Sequence, residues 1–219
     1  YKRVGSNFYF GRRLEEGPKD AHYLLPKDKA EKIEEALEEA RKKKEKIMDP
    51  EGMNWTLRRI ANEIIENCGV ENLCLIGIRK RGDVLAERLS RIIKEITGKE
   101  IPVGVLDITL YRDDLTIMGP RPLIGGSEIP CKIDGMKVVL VDDVIYTGRT
   151  VRAALDELVD YGRPSFIKLA VLIDRGGREL PIHPDFVGKK IELTGKKQVQ
   201  VEVKEVDGED GIWIMEEEV

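Results

Sequence analysis

Short apolar runs alternate with amphipathic stretches along most of this chain, and that alternation decides the fold class. LCLIGI (73–78), IPVGVLDITLY (101–111), KVVLVDDV (137–144) and FIKLAVLID (166–174) read as strands, apolar enough to be covered on both faces. The segments between them carry the helical period. NWTLRRIANEIIENCG (54–69) puts Trp55, Ile60, Ile64 and Ile65 on one face, with Arg58 and Arg59 off it. DVLAERLSRIIKEITG (83–98) turns Leu85, Leu89, Ile92, Ile93 and Ile96 inward. TVRAALDELVDYG (150–162) does the same with Val151, Ala154, Leu155 and Leu158. Strand–helix alternation of this kind predicts an α/β fold with a parallel, doubly wound sheet. Residues 112–135, rich in glycine and proline, are expected to form a long loop or hairpin flap, and the tail from 199 alternates like one or two edge strands.

Composition narrows the class of protein. Charged residues make up 36% of the chain and aromatics 5%, so the surface is polar, and the abundance of Lys and Glu is a thermophile's pattern. A net charge of −4 argues against a protein coated in nucleic acid while leaving room for one local basic face. Cys68, Cys74 and Cys131 have no metal-ligand spacing, and an odd count points to reduced thiols and a cytoplasmic location. No apolar run reaches membrane length and no signal peptide is visible.

Residues 1–43 are expected to be an extension, either lineage-specific or an added leader, preceding a main domain over 44–219. The extension holds the aromatic run Phe8, Tyr9 and Phe10, which either docks on something or belongs to the leader. DKAEKIEEALEEARKKKEKI (28–47) reads as a charged helix with a thin apolar seam of Ile33, Leu37 and Ala40. Its favourable pairs are Glu38 with Lys42 and Glu39 with Lys43.

Ligands of open parallel sheets bind beyond the carboxyl ends of the strands. Three segments there carry functional-looking residues: 79–82, 142–150 and 174–177. The second, VVLVDDVIYTGRT (138–150), runs an apolar strand into two adjacent aspartates and then a Thr-Gly-Arg-Thr turn opening a helix. Free N–H groups at that helix start, with the hydroxyls of Thr147 and Thr150, suit a phosphate. Gly148 lets the backbone approach it closely. Asp142 and Asp143, a few ångströms upstream, would accept hydroxyl donors. Phosphate at one end and hydroxyls at the other describe a sugar phosphate. The spacing is not that of a Walker loop.

VVLVDDVIYTGRT resembles the PRPP-binding motif of type I phosphoribosyltransferases. LDITLYRDDLT (106–116), the segment from 162 to 191 and LRRIANEIIE (57–66) extend the resemblance to the PyrR family over roughly 46–215. That family comprises bifunctional pyrimidine-operon attenuators and uracil phosphoribosyltransferases. The resemblance implies a twisted, mostly parallel sheet with helices on both faces and a flexible flap or hood. It implies transfer of a phosphoribosyl group from PRPP to uracil, giving UMP and pyrophosphate. Mg²⁺ would be carried by PRPP and not held directly by protein ligands. By the same resemblance Asp142, Asp143 and Arg112 are catalytic. Lys80, Arg81 and the run Asp142, Asp143, Val144, Ile145, Tyr146, Thr147, Gly148, Arg149 and Thr150 bind PRPP and nucleotide, and Arg175 and Ile191 bind the base. Tyr146 stands where hypoxanthine-type relatives have an acidic residue, which argues for a pyrimidine. A homodimer or homotetramer is implied, with leader mRNA of a pyrimidine operon as partner and no membrane.

For that RNA the resemblance points to Arg58, Arg59 and Lys189. The chain departs from the family at Asn62, Gly177 and His183, so these cations are either RNA contacts or ordinary solvated charges. Two other functions stay open: a regulator that keeps the pocket only as a sensor, and a purine transferase on the same fold.

Overall fold

A computed structural model describes residues 2–4, 7–9, 44–108, 126–193 and 197–216. The chain divides into two compact units, 1–45 and 46–219. In the first, β1 (Lys2–Val4) and β2 (Asn7–Tyr9) form an antiparallel pair with Lys2 opposite Tyr9. The bulk of the helix expected over 28–47 lies outside the described residues, but its end is corrected. Lys44–Met48 is a strand, β3, in a three-stranded sheet ordered β3–β10–β9. Ile47 and Met48 pack against the core, and the Lys46 ammonium sits 5.3 Å from the Trp213 ring centroid. Tertiary contacts decide these residues against their helical charge pattern.

The second unit is built on five parallel strands ordered β5–β4–β6–β7–β8. These are β4 (Leu73–Ile78), β5 (Val103–Leu106), β6 (Lys137–Ile145), β7 (Phe166–Asp174) and β8 (Phe186–Lys190). All six residues of β4 are buried, as expected of a strand covered on both faces. Leu73, Leu75, Val139, Val141, Ala170 and Leu172 face one core, shared with α1 (Pro50–Cys68) and α2 (Arg81–Thr97). Cys74, Ile76, Ile78, Val138, Leu140 and Val171 face a second core under α3 (Arg149–Leu158). The period-two alternation of the strands thus feeds two helical layers.

Local chemistry sets the helix ends. Asp49 caps α1, accepting from the Gly52 N–H at 2.7 Å, with Pro50 in the first turn. α2 stops at Gly98 in the left-handed conformation. Two inward positions expected from periodicity are corrected. Trp55 is 64% and Ile96 45% exposed. The buried stripe of α1 runs through Met53, Leu57, Ile60, Ala61 and Ile64, and Trp55 falls beside it. The tail folds as β9 (Lys197–Glu202), a one-turn helix α4 (Lys204–Asp207) and β10 (Gly211–Glu216). These are not edges of the main sheet, because β9 and β10 pair with each other and place Val201 and Ile212 over the α1–α2 core. β8 is a strand that the sequence pattern did not separate out.

The chain visits β4, steps out to β5, and returns to β6 on the other side of β4. The connections leaving β4 and β6 therefore run to opposite faces, and a crevice opens between the two carboxyl ends. Ile93 of α2 is fully buried between helix and sheet. Replacing it by alanine is expected to cost about 2–5 kcal/mol, read as a lowered urea midpoint with an unchanged slope.

Candidate active site

The crevice is narrow because two glycines make it so. A Cβ on Gly77 would lie 2.4 Å from the Gly82 carbonyl oxygen, and one on Gly82 would lie 2.4 Å from the Val141 carbonyl oxygen. Without side chains there, the β4–α2 turn presses directly onto β6 beside Asp142. The peptide between Arg79 and Lys80 in this turn is cis.

Asp142 is buried within β6 and its carboxylate accepts from the Asp143 N–H at 3.0 Å. Asp143 accepts from the Val144 N–H at 2.8 Å. Burial, then the neighbouring Asp143 charge, pushes the Asp142 carboxyl well above the usual carboxylate range. Burial also raises Asp143, against the opposing field of Arg81. Two adjacent carboxyls that resist ionisation are unfinished without a partner. Hydroxyl donors or a nearby cation would complete them.

Val144 and Ile145 point their side chains into the two cores, leaving only backbone to a ligand. Gly148 then turns the chain at φ +93° and precedes α3 without a side-chain cap. The Thr147 hydroxyl lies 3.4 Å from the Arg149 N–H, and the Arg149 guanidinium pairs with Glu179 at 2.7 Å. What this turn offers an anion is therefore first-turn N–H groups and the Thr147 and Thr150 hydroxyls.

The segment after β7 folds onto this loop. Glu179 and Leu180 both donate their N–H to the Thr147 carbonyl, at 3.0 and 3.2 Å. Arg175 donates its N–H to the Ile145 carbonyl, and its guanidinium carbon lies 3.8 Å from the centroid of the Tyr146 ring. Gly177, at φ +69°, leaves room for that ring; a Cβ there would meet Tyr146 Cε2 at 2.3 Å. Ile191 donates its N–H to the Asp174 carbonyl. Tyr146, Arg175 and Ile191 thus stand along the carboxyl ends of β6, β7 and β8.

Lys80 is exposed. Arg81 makes a bidentate pair with Asp207 of α4, at 2.9 and 3.0 Å, while its charge also reaches Asp143. Arg112 lies outside the described residues. Each of the three RNA candidates has a partner of its own. Arg58 turns towards Glu95 of α2 at 2.9 Å. Arg59 pairs with Glu63 and donates to the Val187 and Gly188 carbonyls, which bolts α1 to β8. Lys189 donates to the Ile47 carbonyl at 3.4 Å. His183 is exposed, and Asn62 donates to the Arg58 carbonyl.

The chain matches the model of the phosphoribosyl transferase domain over residues 45–206. It is 56% identical to the "Bifunctional protein PyrR" of Pelotomaculum thermopropionicum over 176 residues, 80% of this chain and 97% of that protein. The protein of the same name from Bacillus cereus is 53% identical, covering 77% and 95%. The chain belongs to the PyrR family. Among solved structures, a hypoxanthine phosphoribosyltransferase from Trypanosoma cruzi superposes with a TM-score of 0.60 at 21% identity, covering 78% of this chain and 94% of that one. A hypoxanthine-guanine phosphoribosyltransferase from Bacillus anthracis gives 0.58 at 19%, covering 78% and 96%. These two establish the phosphoribosyltransferase fold.

Sequence reasoning missed two residues of this PyrR-family site. One is Asp207, which sits in a tail that read as strand. The other is Arg178, whose guanidinium reaches the Asp174 carboxylate (2.7 Å) and the carbonyls of Tyr146 (2.8 Å), Gly176 (3.1 Å) and Ile182 (2.9 Å). The arginine in DRGGREL was the available signal. Burial works against the Asp174 charge, but the Gly176 N–H and Arg178 outweigh it and hold the carboxyl below its ordinary value. A depressed carboxyl stabilises the fold above its unfolded pKa and loses that contribution as pH falls through the folded one. Arg178→Ala should cost roughly 1–3 kcal/mol at pH 7. The difference should shrink on acidification below about pH 4 in thermal melts.

Proposed function

We propose that this chain transfers the phosphoribosyl group of PRPP to uracil, forming UMP and pyrophosphate, and that it regulates pyrimidine-operon expression by UMP-dependent binding to the mRNA leader. One observation carries the enzymatic half: the buried Asp142 and half-buried Asp143 lie in the β4–β6 crevice, between the Arg79–Arg81 turn and the uncapped start of α3. That order matches PRPP from end to end. The first-turn N–H groups of α3, with Thr147 and Thr150, hold the 5′-phosphate. Asp142 and Asp143 accept from the vicinal ribose hydroxyls, which satisfies both carboxyls. Lys80 and the backbone of the β4–α2 turn face the diphosphate, and Arg112 adds charge there.

As the C1–O bond breaks, its electron pair leaves with pyrophosphate and positive charge grows on the ribose ring. The N1 lone pair of uracil forms the new bond at C1, and the N1 proton is lost. Arg81 and Lys80 stabilise the departing charge, and the aspartates lie close to the positive ring. The raised carboxyls fit a site that receives a cation-bearing substrate, because nearby positive charge restores their ionisation. Mg²⁺ bound with PRPP would neutralise diphosphate charge. The base rests between Ile191 and the Tyr146–Arg175 stack, where an aromatic ring gives a purine nitrogen no carboxylate partner.

Asp142→Asn combined with Asp143→Asn should lower UMP formation at least about 10²–10³-fold, in an assay comparing uracil, hypoxanthine and guanine. The same variant should melt higher than the wild type without substrate. Carboxyls raised on folding stabilise at low pH and lose that contribution as pH rises through the folded pKa. The gap in Tm should therefore widen as pH rises above the usual carboxylate range. Full transfer by the folded double variant would sink the assignment.

The regulatory half is supported by the word bifunctional in the name of the PyrR relatives and by two cations, the half-buried Arg58 and the exposed Lys189. A gel shift on a pyrimidine leader hairpin should give weak, salt-sensitive binding that UMP strengthens. Lys189→Gln should flatten the salt dependence by about one unit while leaving uracil transfer unchanged. Arg59→Gln is the poorer probe, since it also removes the bolt between α1 and β8. Sedimentation of the same sample tests for the expected dimer or tetramer.

A further inference from the structure

The Sγ atoms of Cys74 and Cys131 lie 3.8 Å apart, although 57 positions separate them in sequence. Cys74 is fully buried on β4, in the core under α3. Cys131 is half-buried at a bend between Pro130 and Lys132 and packs against the same core. The backbone pairing of Val105 with Glu128 holds the approach to that bend, at 2.8 Å in both directions. Cys68 belongs to the core on the opposite face of the sheet, beyond reach of either sulfur. One pair and one spectator are therefore defined by position.

We propose that Cys74 and Cys131 form a reversible intramolecular disulfide, with low-molecular-weight disulfides as the oxidant. The half-buried Cys131 thiolate attacks one sulfur of the small disulfide, and one small thiol leaves. The Cys74 thiolate then attacks the Cys131 sulfur of the mixed disulfide, and the second small thiol leaves. The protein dithiol is oxidised and the small disulfide is reduced to two thiols, which take up the two protons. The chain closure spans α2 and β5 and ties β4 to the segment leading into β6. Burial, then the neighbouring Cys131, pushes the Cys74 thiol up to about 12. The second step is consequently slow at neutral pH and quickens as pH rises. Joining the two ends of so long a loop restricts the unfolded chain, so oxidation stabilises the fold.

The full chain is incubated with oxidised glutathione at about pH 7 and about pH 9, then followed by thiol titration, intact mass and peptide mapping. Three titratable thiols should fall to one, with a mass loss of about 2 Da and a crosslinked 74–131 peptide. Closure should be faster at the higher pH. Tm should rise by roughly 5–15 °C and return on adding a dithiol reductant. Cys74→Ala should stop at a stable glutathione adduct on Cys131, and wild-type peptide mapping supplies the same discrimination if that variant does not fold. Three thiols persisting at the higher pH would overturn the proposal. So would a wild-type protein that halts at the mixed disulfide, or a crosslink that involves Cys68.

Discussion

The approach of the β4–α2 turn to β6 is the contact on which the rest of the molecule depends. Gly82 rests on the Val141 carbonyl, and Gly77 leaves space for the turn to fold back over β4. Even one methyl group at either point would force backbone against backbone, where no rotamer offers relief. The close contact places the Arg79–Arg81 turn beside the acidic pair. It also places that pair between two helices that depart to opposite sides of the sheet. A crevice formed this way owes nothing to loop length and keeps its width as long as the sheet holds.

Charge in the crevice is arranged around a deliberate deficit. Arg81 answers Asp207 with a two-pronged contact and reaches Asp143 only through its field, while Asp142 accepts from the Asp143 N–H and pairs with no cation among the described residues. Exposed pairs elsewhere, such as Lys94 with Glu100, are screened by solvent and leave the architecture alone. Arg178 differs because it is largely buried and satisfies one carboxylate and three carbonyls at once. It is the anchor that lets the segment after β7 lie flat on the turn that opens α3.

Much of this was legible in the order of residues. The parallel sheet followed from apolar runs too continuous to leave a face in water, and β7 spans the same residues that its pattern predicted. The VVLVDDVIYTGRT segment announced its chemistry because adjacent aspartates at the end of a buried strand are costly. Elsewhere local pattern yielded to partners distant in sequence. Lys44–Ile47 carry helical charge spacing, yet pair with β10 because that sheet needs a third strand over the core. Trp55 and Ile96 keep roughly the right period but fall at the rim of their stripes. Arg59 read as an RNA contact or a solvated charge, and no local rule could reveal the two β8 carbonyls it meets 128 and 129 positions away. β8 itself is short and contains Gly188, which sits where a Cβ would strike the Leu172 carbonyl; it is defined by its neighbours more than by its composition.

Thr147 deserves a last consequence, through its carbonyl rather than its hydroxyl. Two successive N–H groups of the segment after β7 converge on that one oxygen, while Arg175 of the same segment leans on the Tyr146 ring. The turn that opens α3 and the ring-bearing wall are thereby parts of a single rigid piece. The span between them is fixed by covalent geometry and these hydrogen bonds. Such a pocket behaves as a gauge of set length, and a ligand is judged by whether its two ends reach both stops at once.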